Sequence, residues 1–242
     1  MDVLSIGNSF SQDAQRYLHN IAKADGFCLN TFNLYIGGCP LLIHYENMIS
    51  EERAYTLEMN GQSTGFNVSL KEALLNREWD VVTIQQVSHQ SPYYKTYQPY
   101  LDKLVEYVKE CVPNAKIAIH QTWAYEQGSE RLHNELGYHN HTDMFKDIEA
   151  SYKKAADRIN AQFVIPSGAL FQKILKSGID KVHRDTFHAS YGIGRYALGL
   201  LWYYIVTGND ITNNTFCDFD EEISKNHIQI IKQCVLEAGS EQ

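Results

Sequence analysis

Short apolar runs rich in β-branched residues alternate along this chain with longer stretches of helical periodicity. The apolar runs predict strands at residues 2–6, 28–35, 80–86, 116–121 and 162–165. Such alternation is typical of a parallel sheet covered by helices on both faces. We therefore expect an α/β fold with three layers, helix, sheet and helix, built around a five-stranded, mainly parallel, flavodoxin-like sheet.

The segments between these strands predict helices and one hairpin. Helices are expected at residues 13–24, from Pro40 onward, and at 70–77, 97–111, 144–160, 167–176, 192–207 and 221–238. Segments 54–60 and 64–68 flank Gly61 and predict a β-hairpin that makes an excursion from the sheet. Because no repeat or linker divides the chain, residues 1–242 are expected to form a single domain.

Composition excludes several classes of protein. The 242 residues include 44% apolar residues, enough for one sizeable core. The 21 basic and 29 acidic residues give a net charge of −8, which disfavours a nucleic-acid partner. Five scattered cysteines without CxxC spacing favour reduced thiols over a disulfide framework or a zinc site.

The termini and apolar runs bear on localisation. The longest apolar run, residues 198–206, is shorter than a membrane span and is interrupted by Gly199, so we expect no such span. The first residues enter a strand-like run without the features of a signal peptide. We expect a cytoplasmic protein from the sequence as it stands, and a periplasmic or secreted one if a leader has been removed; the oligomeric state stays open.

Two short motifs point to nucleophilic chemistry. Ser9 follows Gly7 and Asn8 where the first strand ends, so a tight turn would leave its hydroxyl exposed. Far downstream, Asp185 precedes His188 by three residues. A serine nucleophile, a histidine base and a carboxylate that orients the histidine are the three roles of a catalytic triad. The order Ser, Asp, His is one of several that produce this geometry.

The spacing of Asp185 and His188 recurs nearby, because Asp180 precedes His183 in the same way. The context favours the later pair, which directly precedes the long apolar helix predicted at 192–207. That helix would dock on the sheet and fix the loop before it. A turn or N-cap serine is the structural alternative for Ser9.

Loops that follow parallel strands meet at one edge of the sheet. Four of them carry polar or glycine-rich residues: 7–11, 37–38, 85–89 and 120–123. Gln85, His89, His120 and Trp123 lie in the last two loops and are candidate substrate-binding residues. Ordinary packing is the alternative for the aromatic residues among them.

The motifs together resemble the SGNH, or GDSL-like, hydrolase superfamily. The first block is similar to residues 7–11 (Gly-Asn-Ser-Phe-Ser), and the last block is similar to residues 185–188 (Asp-Thr-Phe-His). With the segment 79–89, the chain resembles a poorly characterised subgroup of bacterial type. The resemblance implies a serine esterase without cofactor or metal, acting on acyl esters, often acetyl groups, of carbohydrates or similar small molecules.

The resemblance also implies roles for individual residues. Ser9 matches the nucleophile, His188 the general base and acid, and Asp185 the residue that orients the imidazole. Gly38 matches the glycine whose N–H joins that of Ser9 in the oxyanion hole. The chain departs from the family pattern in two places: Asn8 replaces the usual aspartate, and the third-block asparagine is absent.

The missing asparagine leaves the third oxyanion donor open. Gln86 is the preferred substitute, since a longer amide offers the same donor, with Gln85 and His89 as fallbacks. A structural role is the alternative for each of these amides.

Two other classes of function remain as alternatives. The same topology can cradle a phosphate or another small molecule without catalysis, as in flavodoxin-like proteins. The polar insertion 123–143 holds His133, His139, His141 and Asp143, which could serve a metal-dependent hydrolase. A solvent-facing lid is the preferred interpretation of this insertion, and no metal is expected.

Overall fold

The computed structural model describes residues 1–240, and in them seven strands form one sheet. The strands are β1 (Asp2–Gly7), β2 (Asn30–Tyr35), β3 (Tyr55–Met59), β4 (Gln62–Val68), β5 (Val81–Ile84), β6 (Lys116–Gln121) and β7 (Phe163–Pro166). The helices are α1 (Ser9–Gln15), α2 (Leu18–Ala24), α3 (Leu41–Ser50), α4 (Leu70–Leu75), α5 (Tyr100–Cys111), α6 (His141–Ile159), α7 (Ser167–Lys176), α8 (Ile193–Thr207) and α9 (Lys225–Ser240). A π-helical turn at Arg131–Glu135 lies between β6 and α6.

The strand order is β4-β3-β2-β1-β5-β6-β7. Five neighbouring strands, β2, β1, β5, β6 and β7, are parallel. The predicted α/β class with helices on both faces is confirmed. The count of five strands was wrong, because the hairpin β3–β4 pairs antiparallel with β2 and extends the sheet to seven. The backbone is left-handed at Asn60 and Gly61 (φ 51° and 76°), which suits the tight hairpin turn.

Helices cover the two faces of the sheet. On one face α8 packs against α1, α2, α7 and α9, and on the other α5 packs against α3, α4 and α6. Gly199 lets α8 approach α2 closely, since a Cβ there would lie 2.8 Å from Cδ1 of Ile21. Although most of α8 is buried, no helix within residues 1–240 is long and apolar enough to cross a membrane.

The first helix begins earlier than the sequence pattern predicts. The expected helix at 13–24 is divided into α1 and α2, and α1 starts at Ser9. Asn8 has an extended backbone, and its side-chain oxygen accepts a hydrogen bond from the N–H of Phe10 at 3.0 Å. Because this N-cap satisfies a free helix donor, it places Ser9 in the first position of the helix.

Three buried histidines make the stability of the fold depend on pH. Burial lowers the pKa of His44 and of His120 to about 3, and that of His183 to about 4. These rings are neutral in the folded protein, whereas in the unfolded chain they gain a proton below a pH of about 6.5. The free energy of unfolding therefore falls below that pH, by up to about 1.4 kcal/mol per pH unit for each histidine.

We expect the Tm, followed by circular dichroism, to fall steadily from pH 7 to pH 5. The H44Q variant removes one of the three proton acceptors, so its Tm should depend less on pH. The exposed His139 provides the matched control H139Q, which should follow the wild type. A Tm that stays level over this range would contradict the account.

Candidate active site

The end of β1 turns directly into α1 at Gly7, Asn8 and Ser9. A Cβ on Gly7 would lie 2.1 Å from Oγ of Ser11, so this turn closes only with glycine. Ser11 Oγ lies 2.9 Å from the carbonyl oxygen of Asn8 and accepts the Asn8 N–H at 3.1 Å. The turn is therefore fixed on both sides of the Ser9 backbone.

The structure brings Ser9, His188 and Asp185 together in one hydrogen-bonded line. The Nε2 atom of His188 lies 2.8 Å from Oγ of Ser9, although 179 positions separate the two residues. The Nδ1 atom of His188 lies 2.8 Å from Oδ2 of Asp185. Asp185 also accepts the backbone N–H of His188 at 2.9 Å, so one carboxylate fixes both the ring and the main chain.

The environment keeps Asp185 ionised. Partial burial raises the pKa of its carboxyl, but hydrogen bonds from the ring and backbone N–H of His188 outweigh this effect and hold the pKa below its usual value. The guanidinium of Arg184, 3.9 Å from the carboxylate, acts in the same direction. An ionised Asp185 accepts a hydrogen bond from the Nδ1 N–H of His188. This fixes the tautomer in which Nε2 carries no proton and can accept the hydroxyl proton of Ser9.

The loop that carries Asp185 and His188 is held by its backbone carbonyl groups. The carbonyl of Thr186 accepts the N–H of Glu126 at 2.7 Å, and that of Phe187 accepts the indole N–H of Trp123 at 2.8 Å. Thr186 has a left-handed backbone (φ 76°), which is strained for a β-branched residue. The two hydrogen bonds hold the loop in this conformation.

Trp123, predicted to bind substrate, instead supports this loop from behind and is absent from the lining of the cleft described below. It is fully buried and stacks on Phe10, with ring centroids 4.1 Å apart. Since Phe10 follows Ser9, one indole joins the helix of the serine to the loop of the histidine.

A buried carboxylate that the sequence analysis missed, Asp13, joins the same two elements. It is fully buried and accepts hydrogen bonds from Arg184 at 2.9 Å, from Arg195 at 2.9 Å and from the backbone N–H of Ala189 at 3.1 Å. Arg184 and Ala189 flank the loop of Asp185 and His188 on its two sides. The available signal was the spacing of Ser9 and Asp13, which are four residues apart on one helix.

A second buried network supports the turn before Ser9. Gln85 donates to Oδ1 of Asn8 at 2.8 Å, and its own oxygen lies 2.6 Å from Nδ1 of His120. The Nε2 atom of His120 lies 3.1 Å from Oγ of Ser167. Asn8 uses its amide N–H to bond the carbonyl of Cys39 at 3.2 Å. Gln85 and His120, predicted as substrate-binding residues, thus lie behind the turn and orient Asn8.

Gln86 does not lie where the predicted oxyanion donor requires. Its amide nitrogen donates to the carbonyl oxygen and the hydroxyl of Thr96, at 3.0 and 3.1 Å. Its oxygen accepts the N–H of Leu41 and of Val87, at 2.9 and 2.8 Å. Both halves of this buried amide are therefore committed to joining loops. The prediction that Gln86 is the third oxyanion donor was therefore wrong. The fallback Gln85 is excluded in the same way, because its amide nitrogen binds Asn8.

A cleft of about 290 Å³ opens beside Ser9 and His188. Within residues 1–240 its lining comprises Asn8, Ser9, Phe10, Tyr35, Gly37, Gly38, Val87, Ser88, His89, Tyr125, Arg131, Phe187 and His188. Gly38 has a left-handed backbone (φ 63°). Of the four residues predicted to bind substrate, only His89 is among those that line this cleft. The volume of the cleft lies just below the range of small-molecule sites, which starts at about 300 Å³.

Several backbone N–H groups at the cleft have no acceptor among residues 1–240, and two of them lie where the predicted oxyanion hole requires. These two belong to Ser9, at the start of α1, and to Gly38, in the loop after β2. Free N–H groups beside a serine hydroxyl can stabilise negative charge that develops on a substrate oxygen.

The histidine-rich insertion is used for local structure. His133 bonds the carbonyl of Tyr138 at 2.8 Å, and His141 bonds the amide of Gln172 at 3.1 Å. Near the start of α6, the carboxylate of Asp143 accepts a hydrogen bond from the side-chain amide of Asn140 at 2.7 Å. In the described part of the chain, no three His, Cys, Asp or Glu residues cluster as metal ligands do.

This fold and this arrangement of side chains define a class. A solved structure from Slackia heliotrinireducens, of a protein proposed to be an SGNH hydrolase, is 26% identical, with a TM-score of 0.61, over 83% of this chain and 95% of its own. An acetylxylan esterase from Geobacillus stearothermophilus shares the fold at 14% identity, with a TM-score of 0.58, over 88% of this chain and 97% of its own. The chain has the fold of the SGNH hydrolases.

The family follows from two further matches. The model of a domain of unknown function, DUF4886, matches residues 2–238. The crystal structure of a DUF4886 protein from Bacteroides uniformis is 32% identical, with a TM-score of 0.91, over 98% of this chain and 94% of its own. The chain belongs to the DUF4886 family, which is structurally related to the SGNH hydrolases. The sequence matches none of the curated proteins.

The Asp13 network predicts a large effect of one conservative substitution. In D13N the neutral amide cannot compensate Arg184 and Arg195, and breaking such a buried pair costs about 3–5 kcal/mol. We expect the urea midpoint to fall accordingly. The control D220N likewise removes a carboxylate that pairs with two arginines, Arg16 and Arg195, but a partly exposed one, so it should cost less than about 1 kcal/mol per pair. If D13N is no less stable than D220N, Asp13 does not anchor the loop.

The Asn8 network predicts that N8D destabilises the protein in a pH-dependent way. An ionised carboxylate would face the carbonyl of Cys39, which now accepts an N–H, in a site that is 1% exposed. One oxygen of the carboxylate would keep the hydrogen bonds from Phe10 and Gln85. The other would have no donor, which is costly for a buried charged group, whereas a protonated carboxyl can donate like the amide. We expect N8D to lose more stability at pH 8 than at pH 5, relative to wild type. Exposed Asn114 supplies the control N114D; equal losses at both pH values in N8D would contradict this account.

Proposed function

We propose that this protein is a serine hydrolase that cleaves an ester through an acyl-enzyme on Ser9. The observation that carries the proposal is the continuous line of hydrogen bonds from Ser9 through His188 to Asp185. The fold of the SGNH hydrolases supports ester hydrolysis in general. In such a line the imidazole accepts the hydroxyl proton as the oxygen attacks a carbonyl carbon.

The steps follow from the two nitrogens of His188. Nε2 takes the proton of Ser9 as the serine oxygen bonds to the acyl carbon, and Asp185 stabilises the imidazolium that forms. The tetrahedral intermediate collapses, the alcohol leaves with the proton from Nε2, and the acyl group stays on Ser9. Water then repeats the sequence, giving up its proton to Nε2, and releases the acid while the serine regains its proton.

The oxyanion hole in this proposal consists of backbone N–H groups. The free N–H groups of Ser9 and Gly38 both lie at the cleft and are suited to receive the carbonyl oxygen of the substrate. Gln86 does not replace the third-block asparagine, because its amide binds Thr96. The two backbone donors then carry the stabilisation, each contributing roughly 3 kcal/mol to lowering the barrier. The fallback His89, which lines the cleft, stays the candidate for a third donor.

The substrate proposed is a small acyl ester, with an acetyl or similar group on a carbohydrate or another small molecule. A cleft of about 290 Å³ suits a short acyl chain and about one ring of the alcohol. The structural likeness to an acetylxylan esterase agrees with this substrate class.

Removal of either reacting group should abolish catalysis. We expect S9A and H188A to lower kcat for p-nitrophenyl acetate by at least about 1,000-fold, because the two groups act as one unit. D185N should lose about 100-fold or more, since an amide does not stabilise the imidazolium.

The controls use the same residue types at exposed positions, as S50A and H139A, which should keep full activity. Circular dichroism checks that each variant is folded. Folded S9A or H188A with wild-type activity would refute the proposed function.

A further inference from the structure

The cleft wall beyond His188 carries a guanidinium group. Arg131 lies on the π-helical turn, and its Cζ is 4.0 Å from the centre of the Phe187 ring. The ring of Phe187 in turn lies 3.9 Å from that of His188. A cation is attracted to the face of an aromatic ring, so Phe187 holds the guanidinium of Arg131 in place. The Phe187 ring thus lies between Arg131 and the imidazole of His188.

The charge of Arg131 is poorly compensated by the protein. The thirteen residues of the described chain that line the cleft include no Asp or Glu. The ion pair of Arg131 is to Glu135, with Nε and Oε1 4.0 Å apart, which is too long for a hydrogen bond. By contrast, Arg184 and Arg195 each bond Asp13 at 2.9 Å. Arg131 thus has donors to offer at the cleft.

Neutral hydrogen-bonding groups surround this guanidinium. Burial and the positive charge of Arg131 lower the pKa of His89 and outweigh the negative charge of Glu135, which raises it, so this ring is neutral at pH 7. The hydroxyls of Ser88 and Tyr125 lie 2.9 Å apart on the same cleft. One positive charge with neutral donors around it is a suitable environment for an anionic oxygen group, which an arginine binds through two parallel N–H groups.

We propose that Arg131 binds a carboxylate on the alcohol part of the substrate, so that the enzyme prefers acyl esters of acidic molecules, such as an acylated acidic sugar or hydroxy acid. This inference rests on the proposed function and names its substrate class. Arg131 fixes the acidic end while the acyl carbon lies at Ser9. Its partner Phe187 couples this contact to the ring of His188.

The kinetic test uses pairs of substrates that differ in one charge. The carboxylates 3- and 4-acetoxybenzoate are compared with 3- and 4-acetoxybenzamide, which have the same shape. We expect kcat/KM for at least one acid to exceed that for its amide by about ten-fold, mainly through KM. In R131Q this ratio should fall close to one, and in R131K it should be intermediate, because lysine keeps the charge but not the fork.

The control R53Q also removes one positive charge, but at an arginine that pairs with Glu72 and is absent from the lining of the cleft. It should keep both the activity and the ratio of kcat/KM between acid and amide. The proposal is overturned if wild type shows no preference for either acid, or if R131Q loses activity on acid and amide equally. The latter result would assign Arg131 a structural role through Phe187.

A binding measurement separates this proposal from the function itself. Titration of S9A with each acetoxybenzoate by calorimetry requires no turnover. We expect binding to S9A and at least a ten-fold weaker Kd in the double variant S9A/R131Q. An unchanged Kd would refute the role of Arg131 even if the protein is a hydrolase. Retained, Arg131-dependent binding together with an inactive wild type would instead refute the hydrolase.

Discussion

The carboxylate of Asp13 holds together the two parts of the chain on which the site depends. Ser9 and His188 are 179 positions apart, so their contact requires that two loops keep one relative position. Asp13 lies on the helix of Ser9 and binds Arg184 and the N–H of Ala189, on either side of the histidine loop. Because this carboxylate is fully buried, its ion pairs are protected from solvent screening.

Other contacts restrict the same loop from the side of β6. Trp123 and Glu126 donate to successive carbonyl groups of the loop, at Phe187 and Thr186. Behind the serine, the amide of Gln85 joins Asn8 to His120 and so connects the ends of β1, β5 and β6. A reacting pair is effective only if its supporting side chains have fixed orientations, and here each of them has hydrogen-bond partners.

The sequence predicts some of this architecture well, because the signals are local. Five buried parallel strands appear as apolar runs, and their order places the loops after β1, β2, β5 and β6 at one edge. Ser9, Asp185 and His188, which the motifs predict as a triad, occupy the ends of these elements, and the structure brings their side chains within hydrogen-bond distance. The hairpin β3–β4 was expected, but its pairing with β2 is a tertiary contact that periodicity does not encode.

The residues that the sequence analysis misplaced are buried polar or aromatic side chains. Gln86 and Trp123 follow strands, His120 lies near the end of β6, and all three carry donors, as binding residues do. Whether such a side chain faces the cleft or the loops behind it depends on backbone turns of a few residues. Asp13 looked like an ordinary helix carboxylate, since its partners Arg184 and Arg195 come from 171 and 182 positions away. Only the folded chain distinguishes these cases.

Covalent labelling tests most directly whether His188 activates Ser9 as a nucleophile. A fluorophosphonate ester reacts with an activated serine, and mass spectrometry of the digested protein locates the adduct. The account predicts one adduct, on the peptide that contains Ser9, and its loss in H188A. An adduct on Ser88 instead, which also lines the cleft, or no adduct on folded wild-type protein, would contradict it.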